Sequence, residues 1–559
     1  MNKIFTLLAV SLVFTISAQQ QLTPPQSWHT PSLEDISLNI EHIGTFDHAT
    51  LLDEDVVLSA ETGREFYGRI LFENFSPETS GTWTELADGS KIWQLKIKSE
   101  NALAVCAFFD DYHVPDGASL WIWSADKSFF EGPYTSEHNN DHGRMGTDEV
   151  YGDEAVIEYY QPADVVGEFS LTTYGFGHFY NHIHDYRDEW QRGGSQSCEV
   201  DVNCPEGFGW EGHRDAVTRM RITDGQFIFL CTGVMVNNAA RNCDQIMLTA
   251  FHCTEGVSDA DLLLMQVRFN YERAGCASGA IVTTHSRTGV LELAHSNDGG
   301  GNNGSDFACY MVEDEISDTW PVFYAGWDAS GAGSSSGVSI HHPSGDIKKV
   351  STYSSALVSS NWGFANNSHW RVNWVATETN HGVTEGGSSG SPIFNADGQI
   401  IGTLTGGSSC CEGKEDPNSG CVGENAPDWY GKFSYHWDGN NNPTADLKDV
   451  LDPTNSGVEE LFGAYAPNCN EAWVTVPELE WNNVGVFPNP TTSSVTFNLE
   501  GKFQLATIGV YNAMGQQIDL IRPAYNTGEI DLDGFQSGIY YLTFTTESNQ
   551  QVTKKVTKI

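Results

Sequence analysis

Basic side chains are scarce in this 559-residue chain: 28 Lys and Arg stand against 74 Asp and Glu, a formal charge of −46. So acidic a surface repels phosphate backbones and anionic lipid, which argues against nucleic-acid binding and polybasic membrane docking. Beyond the N-terminal segment no stretch approaches the ~18 uninterrupted apolar residues of a membrane-spanning helix, so no transmembrane helix is expected. Paired C-x-x-C spacings, the mark of a structural zinc site, are absent. No metal and no cofactor is expected. Helical periodicity is scarce too in residues 193–466.

What is present reads as a globular, exported chain. Apolar residues make up 39%, with 56 glycines besides, and the length suggests several domains. Lys3, the apolar run Ile4 to Phe14 and the small residues Ser17-Ala18 have the three-part form of a secretory signal peptide over 1–18. Nine of the twelve cysteines fall between 198 and 411, and in an exported chain they predict disulfides.

Residues 19–192 form a first block of short strand-like patterns. Trp93, Leu95 and Ile97 alternate with Gln94, Lys96 and Lys98, and Leu120 to Trp123 is a continuous apolar run. A β-sandwich is expected there. His178, His182 and His184 have ligand-like spacing, but histidines in such a strand are more often solvated. Residues 193–466 hold most of the cysteines and many Gly-Ser turns, and a disulfide-braced double β-barrel or sandwich fits them. A linker at 467–483 carries Pro467, Cys469 and Pro477. The last block, 484–559, is nearly neutral and strand-rich, a small β-sandwich. The fold class is all-β.

Three motifs in the middle block carry chemistry. Gly386 to Pro392 (GGSSGSP) offers Ser389 on a tight turn whose glycines let the amides of Gly387 and Ser389 point at a developing oxyanion. Leu248 to Cys253 runs an apolar strand into His252, pinned at once by Cys253, as a general base must be. Gly304 to Ala308 places Asp306 at the head of an apolar strand, where a carboxylate can orient an imidazole. Each alone is ambiguous. The order His252, Asp306, Ser389 is that of the chymotrypsin-type triad and differs from the subtilisin and α/β-hydrolase orders.

With these residues in place, the middle block resembles the bacterial lysyl endopeptidases, secreted trypsin-like serine proteases. The match runs from Ser197 to Gly207 (SCEVDVNCPEG) through Cys231-Thr232-Gly233, Thr249 to Cys253, Ala325 to Asp328, Ile340 to Pro343, Val383 to Glu385 and Asp428 to Lys432. The resemblance implies a double β-barrel with the triad His252, Asp306 and Ser389. It also implies bridges Cys231–Cys253, Cys204–Cys276 and Cys198 with Cys410 or Cys411. Cys243–Cys309, and Cys410 or Cys411 with Cys421, are possible additions. It assigns Asp428 as the acid of a pocket for a cationic side chain and Trp362 as a substrate-site tryptophan. The sequence departs from the family at Thr405, where the best-known members carry histidine, so a basic residue is expected at P1 rather than lysine alone. The mature enzymes of the family begin near the first core cysteine, so cleavage after Arg192 is expected, with the first block as a propeptide. No Ile-Val-Gly-Gly activation end is present.

The last block resembles the type A sorting domain of the type IX secretion system, through Val486 to Thr491 (VFPNPT), Val510 to Gly515 (VYNAMG), Ser537 to Tyr541 (SGIYY) and the Lys-Lys-Val-Thr-Lys-Ile end. The expectation is a secreted or surface-attached monomeric endopeptidase, its partners being protein or peptide substrates and the type IX machinery. Its mechanism is expected to pass through an acyl-enzyme. The alternatives are a catalytically inactive protease-like surface binding or adhesion protein, and the same mechanism with a non-basic P1 preference.

Overall fold

A computed structural model describes residues 23–33, 37–181, 194–414, 420–440, 443–470, 484–499, 505–512, 517–523, 525–546 and 551–559. The export segment, His182, His184, Arg192 and Pro477 lie outside the described residues. The chain divides into two units, Met1–Trp473 and Val474–Ile559. Strands dominate both, as the short alternating patterns predict.

The first block stacks one sheet, containing strands Ile40–Thr45, Lys91–Glu100, Glu154–Gln161, Ser119–Ser124 and Phe130–Tyr134, on a second containing Glu65–Leu71, Ala104–His113 and Ser170–Phe179. Trp93, Leu95 and Ile97 face the shared core with Phe109, Ile122, Ile157 and Phe176. One element departs from the expected all-strand block, the helix His48–Thr62. Asp47 caps it by accepting the Ala49 amide, and Gly63 ends it at φ +72°. Only Leu51 and Asp55 of the helix are buried, so it has no apolar stripe for the sequence to display.

The protease-like region builds two barrel halves. The first uses Val217–Asp224, Phe227–Met235, Ile246–Thr249, Gln266–Phe269, His285–Thr288, Val290–His295 and Ala308–Val312. The second uses Gly337–His341, Lys349–Tyr353, Val358–Trp362, Ala365–Val372, Pro392–Phe394, Gln399–Gly407 and Asp428–Lys432. Val234, Leu248 and Phe307 of the first pack in one buried cluster with Trp327, Ile340, Phe394 and Ile400 of the second. Burial of about 1.5–3 kcal/mol per large apolar side chain holds the halves together.

The first block is joined to this region edge to edge. Glu65–Leu71 pairs antiparallel with Phe227–Met235, which merges a sheet of the first block with the first barrel half into one twelve-stranded sheet. Beside the seam, Glu149 of the first block pairs with Arg219 at 3.0 Å, Arg268 at 3.5 Å and Arg221 at 3.7 Å, and accepts the Tyr67 hydroxyl at 2.7 Å. Burial works against this carboxylate, but the three guanidinium groups overcome it and hold Glu149 well below the usual glutamate range.

Five disulfides brace the region: Cys198–Cys411, Cys204–Cys276, Cys231–Cys253, Cys243–Cys469 and Cys410–Cys421. The possible Cys243–Cys309 bridge is not formed. Cys309 faces the apolar cluster between the barrel halves as a buried free thiol, and Cys243 instead ties down Cys469 in the stretch read as linker. Cys106 is the other free, buried thiol.

The C-terminal unit is a small sandwich. A three-stranded sheet of Val484–Phe487, Ser494–Leu499 and Thr527–Asp531 packs through Val495, Phe497 and Ile530 on a four-stranded sheet whose core residues include Ile508, Leu542 and Phe544.

Candidate active site

His252 sits on a single turn, Phe251–Cys253, directly after the strand Ile246–Thr249. The Cys231–Cys253 bridge ties that turn to the neighbouring strand, a loop closure worth about 3 kcal/mol in the chain-entropy model. Asp306 lies at the head of the strand Ala308–Val312 and is fully buried. Its Oδ2 is 2.7 Å from His252 Nδ1, and its Oδ1 accepts the His252 amide at 2.9 Å. A proton on Nδ1 then points at a carboxylate, which leaves Nε2 as the acceptor.

Ser389 lies on the other wall. Its carbonyl accepts the Thr232 amide at 2.8 Å and stands 3.8 Å from Cys253 Sγ, the residue after His252. No hydrogen bond joins the Ser389 hydroxyl to His252 among the described residues, although the serine turn contacts the residue that follows His252. Such bonds are often loose without substrate. Gly387, at φ +86°, has no room for a side chain: a Cβ would fall 2.9 Å from the Gly345 amide. The amides of Ser388, Gly390 and Ser391 are taken by Glu385, Leu404 and Ser388 carbonyls. Those of Gly387 and Ser389 donate to no described residue, which leaves two free N–H groups on one turn.

Asp428 is fully buried at the start of the strand Asp428–Lys432. Its Oδ1 accepts the amides of Ser408 and Ser409, and its Oδ2 accepts Trp374 Nε1 at 2.6 Å, Thr384 Oγ1 at 2.8 Å and Ser409 Oγ at 2.6 Å. Burial pushes the carboxyl up, and bonds from Ser409, Trp374 and Thr384 offset part of that. No cationic side chain pairs with it among the described residues. Thr384 precedes the serine turn, so Asp428 is hydrogen-bonded to the loop that carries Ser389.

Trp362 donates its indole N–H to the Gly300 carbonyl at 3.1 Å, stacks on His369 and tilts against Trp429. His369 was not anticipated. Its Nε2 is 2.9 Å from the hydroxyl of Thr405, reached across the intervening strand Asp428–Lys432. Burial lowers this imidazole to about 4, so it is neutral near pH 7. His252 also lies within 4.8 Å of Cys231 and Cys253 sulfurs, but these form a disulfide and offer no thiolate for a metal.

Residues 192–431 match the family model described as the lysyl endopeptidase C-terminal domain. This region is a lysyl endopeptidase-type serine protease domain. Residues 485–558 match the secretion system C-terminal sorting domain. The lysyl endopeptidase of Pseudomonas aeruginosa is 29% identical over 357 residues, covering 60% of this chain and 72% of the relative. Among solved structures, an HtrA-type protease with a tripeptide matches at 12% identity and TM-score 0.27, over 63% of this chain and 96% of that one. The protease Anisep from Arthrobacter nicotinovorans matches at 15% identity and TM-score 0.26, over 39% and 90%. The chain is thus a secreted serine endopeptidase, destined for the extracellular space or the cell surface by a type IX sorting domain.

In this lysyl endopeptidase relative the first block reaches the site itself. Gly63 lies over His252: a Cβ there would be 3.6 Å from the ring Cδ2. Arg64, 7% exposed, donates to the His252 carbonyl at 3.1 Å, to the Glu255 carbonyl and to Asp224 at 3.1 Å. Glu65 abuts Gly386 of the serine turn. Nothing in the sequence announced these three residues, because a contact between blocks leaves no periodic signal.

Proposed function

We propose that the protein hydrolyses peptide bonds after lysine or arginine through an acyl-enzyme at Ser389. His252 Nε2 takes the proton from Ser389 Oγ as the oxygen bonds to the substrate carbonyl carbon. Asp306 holds the ring and stabilises the imidazolium. The amides of Gly387 and Ser389 receive the oxyanion. As the intermediate collapses, the C–N bond breaks and His252 returns its proton to the leaving amine; water then repeats the sequence to release the acid.

The observation that carries this reading is the 2.7 Å pairing of Asp306 with His252 beside a serine turn with two undonated amides. The basic preference rests on Asp428, a buried anion with neutral donors and no cation, which an ammonium or guanidinium entering the slot would compensate. Trp362 and Trp429 form an aromatic wall near the same strands.

The first block (19–192) is read as a propeptide released by cleavage after Arg192, which coincides with the start of the family match. Gly63, Arg64 and Glu65 support a masking role, since they occupy the space over His252 and the serine turn. The stretch after Cys469 is read as the linker to the sorting domain.

Mass spectrometry of the secreted protein and of its cleavage products tests the whole reading. Expected are a mature start at Gly193, cuts after Lys or Arg, and loss of both hydrolysis and fluorophosphonate labelling in Ser389→Ala. Undiminished turnover by Ser389→Ala would refute it, and an unlabelled, inactive wild type would favour the surface binding protein.

A further inference from the structure

Asp298 is a second buried carboxylate behind the triad, 3% exposed and without an ion-pair partner among the described residues. Its Oδ2 accepts the Asp306 amide at 2.6 Å, and its Oδ1 accepts the Gly301 amide at 3.1 Å. Asp306 itself adopts φ +61°, the left-handed region that costs a residue with a side chain roughly 1–3 kcal/mol. That conformation lets the Asp306 carboxylate meet both the amide and the Nδ1 of His252.

Gly301 closes the arrangement from the other side. A Cβ there would lie 3.2 Å from Asp306 Cβ, 3.1 Å from Trp362 Cδ1 and 3.3 Å from Thr405 Cγ2. One carboxylate therefore pins both the backbone of Asp306 and the glycine turn between Asp306 and Trp362. An Asn or Ser could accept one amide without placing an anion there. Burial and the neighbouring Asp306 push the Asp298 carboxyl up to about 6, so its ionised form is kept at a cost in stability.

We infer that Asp298 is a positioning residue of the triad, clamping Asp306 in its left-handed conformation and adding a second negative charge that favours the imidazolium of His252. This rests on the reading of His252, Asp306 and Ser389 given above. The groups facing Asp298 are few. Asp306 is its acidic neighbour; Ser296 and Asn440, which packs with it around Gly304, are neutral. His436, bonded to Ser305, and His369 are both lowered by burial and uncharged near pH 7.

The test compares processed wild type and Asp298→Asn on a lysyl or arginyl peptide amide from pH 5 to 9. In the variant, kcat should fall roughly tenfold to a hundredfold with KM little changed. The acid limb of kcat/KM should move to lower pH, because the imidazolium loses a nearby anion. The thermal midpoint at pH 8 should hold or rise. The sign follows from the raised carboxyl: wild-type stability is present below the unfolded aspartate value and is lost as pH rises through about 6. A variant with unchanged kcat and acid limb, or one whose midpoint and activity fall together with the limb unmoved, would overturn the inference. Should Asp298→Asn fail to fold, wild type alone decides: its acid limb should steepen toward a two-proton slope below about pH 6, and a single-proton slope throughout overturns the claim. A processed wild type that neither turns over nor labels with fluorophosphonate would instead refute the assignment of Ser389.

Discussion

Gly63 of the first block covers the imidazole of His252, with the space for a single methyl group between them. Helix His48–Thr62 needs a left-handed residue to end it, and glycine supplies that conformation at a place where anything larger than a methyl group would press on the ring. Chain termination and site coverage thus use the same residue.

Replacing that glycine should unmask the site before processing. In an uncleavable Arg192→Ala background, Gly63→Leu adds left-handed strain of roughly 1–3 kcal/mol, so fluorophosphonate labelling of Ser389 should rise about tenfold or more. The processed enzyme, which has lost residue 63, should be unaffected. Equal labelling of the two uncleaved chains would remove Gly63 from the mask.

The seam between blocks should depend on Glu149. Glu149→Gln leaves Arg219, Arg221 and Arg268 without their shared anion, a loss of about 3–5 kcal/mol for a broken buried pair. The uncleaved variant should unfold at lower temperature and gain activity. The pH dependence has a definite sign. A depressed carboxyl contributes stability that is complete above the ordinary glutamate value, about 4.3, and is lost as pH falls toward the lowered folded value. Acid should therefore loosen the first block in wild type and do so less in Glu149→Gln, as followed by tryptophan fluorescence.

Strand content and the candidate residues His252 and Ser389 were legible because each leaves a local mark: alternation at Trp93, Leu95 and Ile97, a rigid strand into His252, glycines around Ser389. The bridges Cys231–Cys253 and Cys204–Cys276 came instead from the family resemblance. What stayed hidden was produced by tertiary contact. The Thr405 hydroxyl meets His369 across the intervening strand Asp428–Lys432, Asp298 reaches the Asp306 amide from eight residues upstream, and Arg64 crosses between blocks. The helix His48–Thr62 escaped notice because its buried positions make no stripe. Cysteine spacing could not separate Cys309 from Cys469 as the partner of Cys243, since only the packing of Cys309 into the core decides it.

That pairing has a countable consequence. Alkylation of the unfolded, unreduced full chain should modify two cysteines, Cys106 and Cys309, and the processed enzyme should show Cys309 alone. In the folded protein neither should react, since burial pushes the Cys106 thiol up to about 12 and raises Cys309 as well. Peptide mapping that finds Cys243 joined to Cys309 would contradict the fold around the linker.

Asp428 offers the sharpest test of substrate choice. Asp428→Asn keeps the size of the side chain and an acceptor for Ser408 and Ser409, while removing the charge and presenting an amide N–H₂ group to Trp374, Thr384 and Ser409. A slot built around an anion loses its cationic substrate when the anion goes, and discrimination of this kind reaches on the order of 10⁴. The kcat/KM for lysyl and arginyl amides should therefore collapse toward that for uncharged residues, while fluorophosphonate labelling of Ser389 persists because the reacting atoms are untouched. Retained basic preference in Asp428→Asn, with the chain folded and labelling, would mean that another acid receives the substrate cation and that the donors around Asp428 serve only to hold two loops together.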